Sequence, residues 1–198
     1  MASAYDEATL YSADELEAVN DMLAAIGESP VNTLEDGSNA DVANCRRLLA
    51  KVNQEVQARG WTFNIETDAT LTPDVFSKLI TWEDSFLRVM VDGSAGTYTN
   101  RGGYVYDRTN KTDEFDDPIT VSLIRLKSFS EMPVPFRSYI IAKASRRFNI
   151  RFFGASEIEA TLQEEENDAW VAVQEYELDY GVNNMLDGDS WTSGRISR

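Results

Sequence analysis

Four acids stand close together near the C-terminal end of the sequence: Glu164, Glu165, Glu166 and Asp168. Paired carboxylates can divide the acid and base work of glycoside hydrolysis when they lie about 5–10 Å apart. Neighbouring turns of one helix meet that separation. Glu164, Glu165 and Asp168 are therefore the candidates for a carboxylate-based glycan hydrolase, with Trp82, Trp170 and Trp191 as rings for sugar stacking. The plainer reading is a solvated helix face paired with nearby Lys or Arg. A second acidic group, Asp113, Glu114, Asp116 and Asp117, could join Asp187 and Asp189 around a hard cation. It lacks the glycine and terminal Glu of an EF-hand loop, and a polar loop is the simpler reading. Arg101-Gly-Gly-Tyr-Val-Tyr has neither G-x-G-x-x-G nor a Walker Lys-Ser/Thr. It reads as a tight turn entering a strand. Arg101, Tyr104 and Tyr106, flanked by Tyr98 and Arg108, are candidates for a protein-binding patch, because Tyr and Arg are favoured in interfaces.

What is missing narrows the chemistry further. The chain contains no histidine and one cysteine, Cys45. Imidazole bases, Ser-His-Asp or Cys-His arrangements and Cys/His zinc sites are excluded, and no cofactor is implied. Cys45 lies on an apolar helical stripe and reads as core. The formal charge is −16. Residues 101–151 hold ten Lys/Arg against six Asp/Glu, a local +4, which leaves eight basic and 28 acidic groups, −20, elsewhere. Such a chain disfavours nonspecific DNA binding over its whole surface and suits faces that meet different partners or copies of itself. At 198 residues and 42% hydrophobic composition it can bury a proper core. It has no run long and apolar enough for a transmembrane helix, and its acidic start lacks a signal-peptide pattern. Synthesis in the cytosol is expected.

These groups need a scaffold, and the hydrophobic pattern supplies one. Leu16, Val19, Leu23 and Ile26 predict a first helix, with Ser12 and Glu15 as its capping box and Gly27 as its stop. Val42, Cys45, Leu49, Val52 and Val56 predict a second from about 40 to 59, ended by Gly60. From Trp61 the pattern turns to β: a strand beginning at Trp61, further strands at 86–91, 103–106 and 119–126, and a helix or turn at 75–82. Phe136, Ile140, Ala144 and Phe148 predict a third helix ending at Gly154, edged by Arg137, Lys143, Arg146, Arg147 and Arg151. Ser156 and Glu159 read as the capping box of a fourth, which Gly181 ends. The expectation is an α+β protein: an antiparallel bundle of about four helices (1–60 plus 129–181), an inserted small antiparallel β region (61–128) and an extended C-terminal docking tail (182–198). The tail carries Trp191 and Arg195 as candidate contacts.

Several blocks point to one family. They include Ala18-Val-Asn-Asp, Ile26-Gly-Glu, Arg59-Gly-Trp-Thr-Phe-Asn-Ile-Glu66 and Asn100-Arg-Gly-Gly-Tyr-Val-Tyr-Asp-Arg108. Glu131-Met-Pro, Lys143-Ala-Ser-Arg146, Arg151-Phe-Phe-Gly-Ala155, Glu175-Tyr-Glu-Leu-Asp-Tyr-Gly181 and Asn184-Met-Leu-Asp-Gly-Asp189 follow. In order and over nearly the whole chain, they resemble the tail tubular protein A family of T7-like short-tailed phages. The resemblance implies a virion structural protein that forms a twelve-subunit ring. The ring would join the portal to the nozzle (tail tubular protein B), sit near the tail fibre protein, and line the channel through which DNA leaves. It carries over no catalytic residue. A contact between the basic face of residues Arg137, Arg146, Arg147 and Arg151 and an acidic face of the neighbouring copy is a further expectation from charge.

Overall fold

The computed structural model describes residues 13–34, 40–91, 94–95 and 97–180. Among these residues are four α-helices and small antiparallel sheets, an α+β composition. The expected C-terminal tail, and Ser12 of the first capping box, lie outside the described residues. The chain divides into two compact units, residues 1–52 with 129–198 and residues 53–128. No helix among the described residues is long and apolar enough to cross a membrane.

The first unit holds α1 (Ala13–Ala24), the body of α2 (Ala40–Gln57), α3 (Val134–Phe148) and α4 (Ser156–Tyr180). Gly27 stops α1 in left-handed conformation, φ +80°, while Glu28 N–H donates to the Leu23 carbonyl and Gly27 N–H to that of Ala24. That is a Schellman motif, which needs a residue without a Cβ penalty at this point. After it, the Asn20 side chain clasps the chain at Val31, accepting its N–H at 2.8 Å and donating to its carbonyl at 3.0 Å. On α2 the predicted seam is buried throughout, Val42, Cys45, Leu49, Val52 and Val56 included. Cys45 has no exposed surface, and burial, with the charge of Asp41, pushes its thiol up to about 12. It is a core residue and no nucleophile at neutral pH.

Phe136, Ile140, Ala144 and Phe148 are all fully buried on α3. Pro133 and Pro135 begin this helix, where a missing N–H costs nothing. The expected stop at Gly154 is real, φ +69°, but the helix does not run to it as an α-helix. Residues Asn149–Phe153 form a π-helical turn, closed by Gly154 N–H donating to the Asn149 carbonyl at 2.6 Å. Contacts between α3 and α4 run in opposite senses. Phe136 meets Tyr176 (ring centroids 5.6 Å), Tyr139 meets Trp170 (5.0 Å), and Arg146 meets Glu159 at 2.7 Å. The two helices are therefore an antiparallel hairpin, aromatic at one end and ionic at the other. The capping box expected at Ser156 does not form, because both oxygens of Glu159 face Arg146 and Asn149 instead.

The second unit holds β1 (Ile65–Leu71), β2 (Phe86–Val91), β3 (Ser94–Ala95), β4 (Tyr98–Arg101), β5 (Tyr104–Asp107) and β6 (Ile119–Arg125). One sheet has the order β1-β6-β2-β3, all antiparallel, and β4-β5 is a separate hairpin. Gly102 and Gly103, both at positive φ, make its two-residue turn, which follows the preference of tight hairpins for such residues. Leu71, Ile80, Phe86, Val89, Val105, Phe115, Val121 and Leu123 form one apolar cluster drawn from both sheets. The expected strand at Trp61 begins four residues later, at Ile65, because Asn64 folds the chain first. Its buried side chain accepts Trp61 N–H (2.8 Å) and donates to the carbonyls of Gln57 and Arg125 (3.0 Å each). Gln57 is buried beside it and both donates to and accepts from the backbone of Lys127.

Gly60 ends α2 at φ +83°, and a Cβ there would lie 2.7 Å from Cδ1 of buried Ile124. Gly60→Ala is expected to destabilise the protein by roughly 1–3 kcal/mol, from left-handed strain plus local overpacking. Urea unfolding should show a lower midpoint at unchanged slope.

Candidate interaction surfaces

The basic side chains of α3 are drawn into ion pairs within their own unit. Arg146 reaches Glu159 at 2.7 Å and Glu166 at 3.1 Å, and Lys143 reaches Glu166 at 3.5 Å and the Tyr139 hydroxyl at 2.7 Å. Arg137 meets Asp14 at 2.8 Å. Arg147 is half-buried, whereas Arg151 is exposed on the π-helical turn, with no ion pair among the described residues. Glu166, which sequence grouped with the other acids, is thus a structural member of the hairpin. Glu164, Glu165 and Asp168 are exposed on α4.

Of those three, Glu165 borders a cleft. It is a space of about 300 Å³ between α1 and α4, lined by Asp21, Ala25, Ile158, Thr161, Leu162 and Glu165. Burial, with the charge of Glu17, raises the Asp21 carboxyl. The lining holds no aromatic ring. Trp170 is engaged by Tyr139, and Trp82 packs edge-on against Phe86 while its Nε1–H donates to the Phe86 carbonyl. Both tryptophans are half-buried against a neighbouring ring, and Trp191 lies outside the described residues, as does Arg195. Among the described residues no three acids or thiols are grouped to hold a metal.

The β4–β5 hairpin does bring Arg101, Tyr104 and Tyr106 together. Arg101 pairs across the turn with Tyr104 and sets its guanidinium 4.6 Å from the centre of the Tyr106 ring. Behind this tip, Asp107 is buried and anchors the return of the chain. Burial pushes its carboxyl up, but hydrogen bonds from the N–H groups of Asn110 and Thr109 and the Asn110 side chain outweigh it and hold it below the usual range.

Two exposed apolar features were not marked by the sequence reading. The first is the turn at 74–78. Asp74 accepts from the N–H groups of Phe76 (3.1 Å) and Ser77 (2.8 Å) and from the Ser77 hydroxyl (2.9 Å), which holds its carboxyl low. Lys78 closes the turn on Asp116 at 2.6 Å and lowers that carboxyl too. At its tip Phe76 is 96% exposed and Val75 86%. Pro73-Asp-Val-Phe-Ser carries the turn signal, and two apolar residues inside it were the available clue. The second is the π-helical turn, where Ile150, Phe152 and Phe153 stand 58%, 48% and 53% exposed around Arg151.

The units should respond oppositely to acid. Glu66 is pushed up by burial but held low overall by Arg125 and Lys127, so Glu66, Asp74, Asp107 and Asp116 are all depressed and all belong to residues 53–128. Their stabilisation is complete above the unfolded carboxylate range, about pH 4, and is lost as pH falls through the lower folded values. Glu15 and Asp21 of the first unit are raised by burial, so protonation relieves them as pH falls toward about 4. Proteolysis at about pH 3 is expected to open residues 53–128 before the helices. Preferential cleavage within α3 or α4 would contradict that order.

The sequence profile of the tail tubular protein family matches residues 16–182. Tail tubular protein A of Klebsiella phage KP34 is 32% identical over 120 residues, 60% of this chain and 62% of that protein. The alignment thus spans less than two thirds of the relative's length.

Proposed function

The chain belongs to the tail tubular protein family, and from that premise we propose that it is a structural protein of a bacteriophage tail. In this reading it is the head-to-tail adaptor. Copies assemble as a twelve-subunit ring, one face docks on the portal and the other on tail tubular protein B, and tail fibre protein attaches near that junction. The helical hairpin and the β unit supply stiff walls, and residues 182–198 serve to dock on a partner. DNA passes through the ring without specific binding, since a chain of charge −16 repels a polyanion. The protein is made in the host cytoplasm and ends in the virion.

The family match over residues 16–182 carries this reading. The structure supports it: Lys143, Arg146, Glu159 and Glu166 are spent on the α3–α4 hairpin, while apolar side chains remain open on two exposed turns, as in a protein whose work is contact. Arg101, Tyr104, Tyr106 and Arg151 are the nominated residues best placed to meet partners, and Trp191 and Arg195 of the tail are nominated with them.

Light scattering tests the proposal. The purified chain is expected to reach the mass of a ring when mixed with its cognate portal, and to co-sediment with it. A chain that ignores the portal, and is absent from purified tails, would overturn the adaptor assignment.

A further inference from the structure

Building on the ring reading above, we propose that the Phe76 turn of one copy docks on the π-helical turn of the next, a head-to-tail contact between unlike surfaces of the same chain. Both surfaces are apolar and open in the single chain. Phe76 and Val75 project almost fully, and Ile150, Phe152 and Phe153 remain about half-exposed. An isolated exposed apolar residue means little, but a phenylalanine held at the tip of a hydrogen-bonded turn is preorganised as an anchor. The Asp74 carboxylate fixes this one through three hydrogen bonds, and the Lys78–Asp116 pair fastens its base.

Charge selects the occupant. The turn and the segment bridged to it at Leu79–Glu114 carry Asp74, Glu114 and Asp116 against Lys78 alone. Asp74 and Asp116 are held ionised by their hydrogen bonds. The π-helical turn offers the opposite: three apolar side chains around exposed Arg151, with Arg147 one turn before it and no acid between Arg146 and Ala155. An apolar knob in an acidic collar thus faces an apolar platform with a basic edge. Complementary potentials of this kind set register and suppress wrong pairings. Because the two surfaces differ, the contact is heterologous, and a repeated heterologous contact closes a ring when its rotation permits. This choice also departs from the charge-only expectation for the α3 face. The contact is placed on Arg151, which is free of ion pairs among the described residues, rather than on Arg146, which is committed internally.

The test places a benzophenone amino acid at position 76 of the full chain, a conservative aromatic replacement. The chain is supplied during phage assembly, and purified tails are irradiated. The expected result is a covalent dimer of this chain on a denaturing gel, with the cross-link mapped to residues 147–154 of the other copy. A second variant, Arg151→Glu, should cut that cross-link at least tenfold, and Glu114→Lys in the same chain, which leaves the Lys78–Asp116 pair intact, should restore part of it, as coupled charges do. A cross-link from position 76 only into another tail protein, or none in tails that contain the chain, overturns the contact and leaves the adaptor reading standing. Absence of even the unmodified chain from tails overturns the adaptor reading instead. Should Arg151→Glu prevent incorporation, the map from position 76 alone decides.

Discussion

Asn64→Ala is expected to cost about 3–4 kcal/mol of folding free energy, among the largest single losses available to the β unit. The fully buried amide accepts Trp61 N–H and donates to the carbonyls of Gln57 and Arg125. Alanine removes three hydrogen bonds at one buried point, each contributing roughly 0.5–1.5 kcal/mol, although the Gln57 carbonyl keeps the Gly60 N–H at 3.1 Å. Water entering the space would recover some of the loss, which is why the estimate lies below the top of the summed range. Asp should not rescue, since it cannot donate to two carbonyls while ionised. Urea unfolding of the wild type, Asn64→Ala and Asn64→Asp checks this. A loss below about 1 kcal/mol for alanine would show that the polar node does not hold the α2–β1 turn.

Arg146→Glu should be comparably severe, at about 2–4 kcal/mol. The guanidinium side chain is 28% exposed and its partner Glu166 16%, so this seam is neither a loose surface pair nor fully buried. Breaking a buried pair costs about 3–5 kcal/mol, and partial exposure lowers that figure, while a third carboxylate beside Glu159 and Glu166 adds repulsion. Arg146→Met should cost less, because it keeps the stem and adds no charge. The expected signature is loss of helical signal in thermal melts, largest for Glu and smaller for Met. A consequence follows for assembly work: charge reversal here disturbs the hairpin before it can report on a contact between copies. Equal stability of wild type and Arg146→Glu would restore Arg146 as a candidate for such a contact.

The helices were legible because their signals are local. Leu16 to Ile26 and Phe136 to Phe148 repeat at helical spacing, and Gly27 and Gly60 stop their helices where a left-handed residue is needed. The strands at Phe86–Val91 and Ile119–Arg125 were legible from dense β-branched and apolar residues. Trp61 to Asn64 misled because alternation resembles a strand, whereas the deciding event is a bond from Asn64 to Arg125, far along the chain. Strand β4 was hidden inside a turn signal, since Asn100 and the glycines belong to a hairpin whose arms carry little apolar pattern.

By itself the sequence determined the α+β class, the core of each long helix, the absence of histidine chemistry and, through its ordered blocks, the family. These follow from residue type and near-neighbour spacing, which survive in one dimension. Tertiary structure alone decided which charges are spent and which are free. Arg146 and Arg151 look alike in sequence, but α4 brings carboxylates to the first, and the π-helical turn leaves the second in solvent. It also decided that Phe76 stands outside the core: a turn pinned by Asp74 aims it away from the apolar cluster formed by its neighbours Leu71 and Ile80. Exposure and ion pairing depend on what distant segments bring to a side chain, and no local pattern records that.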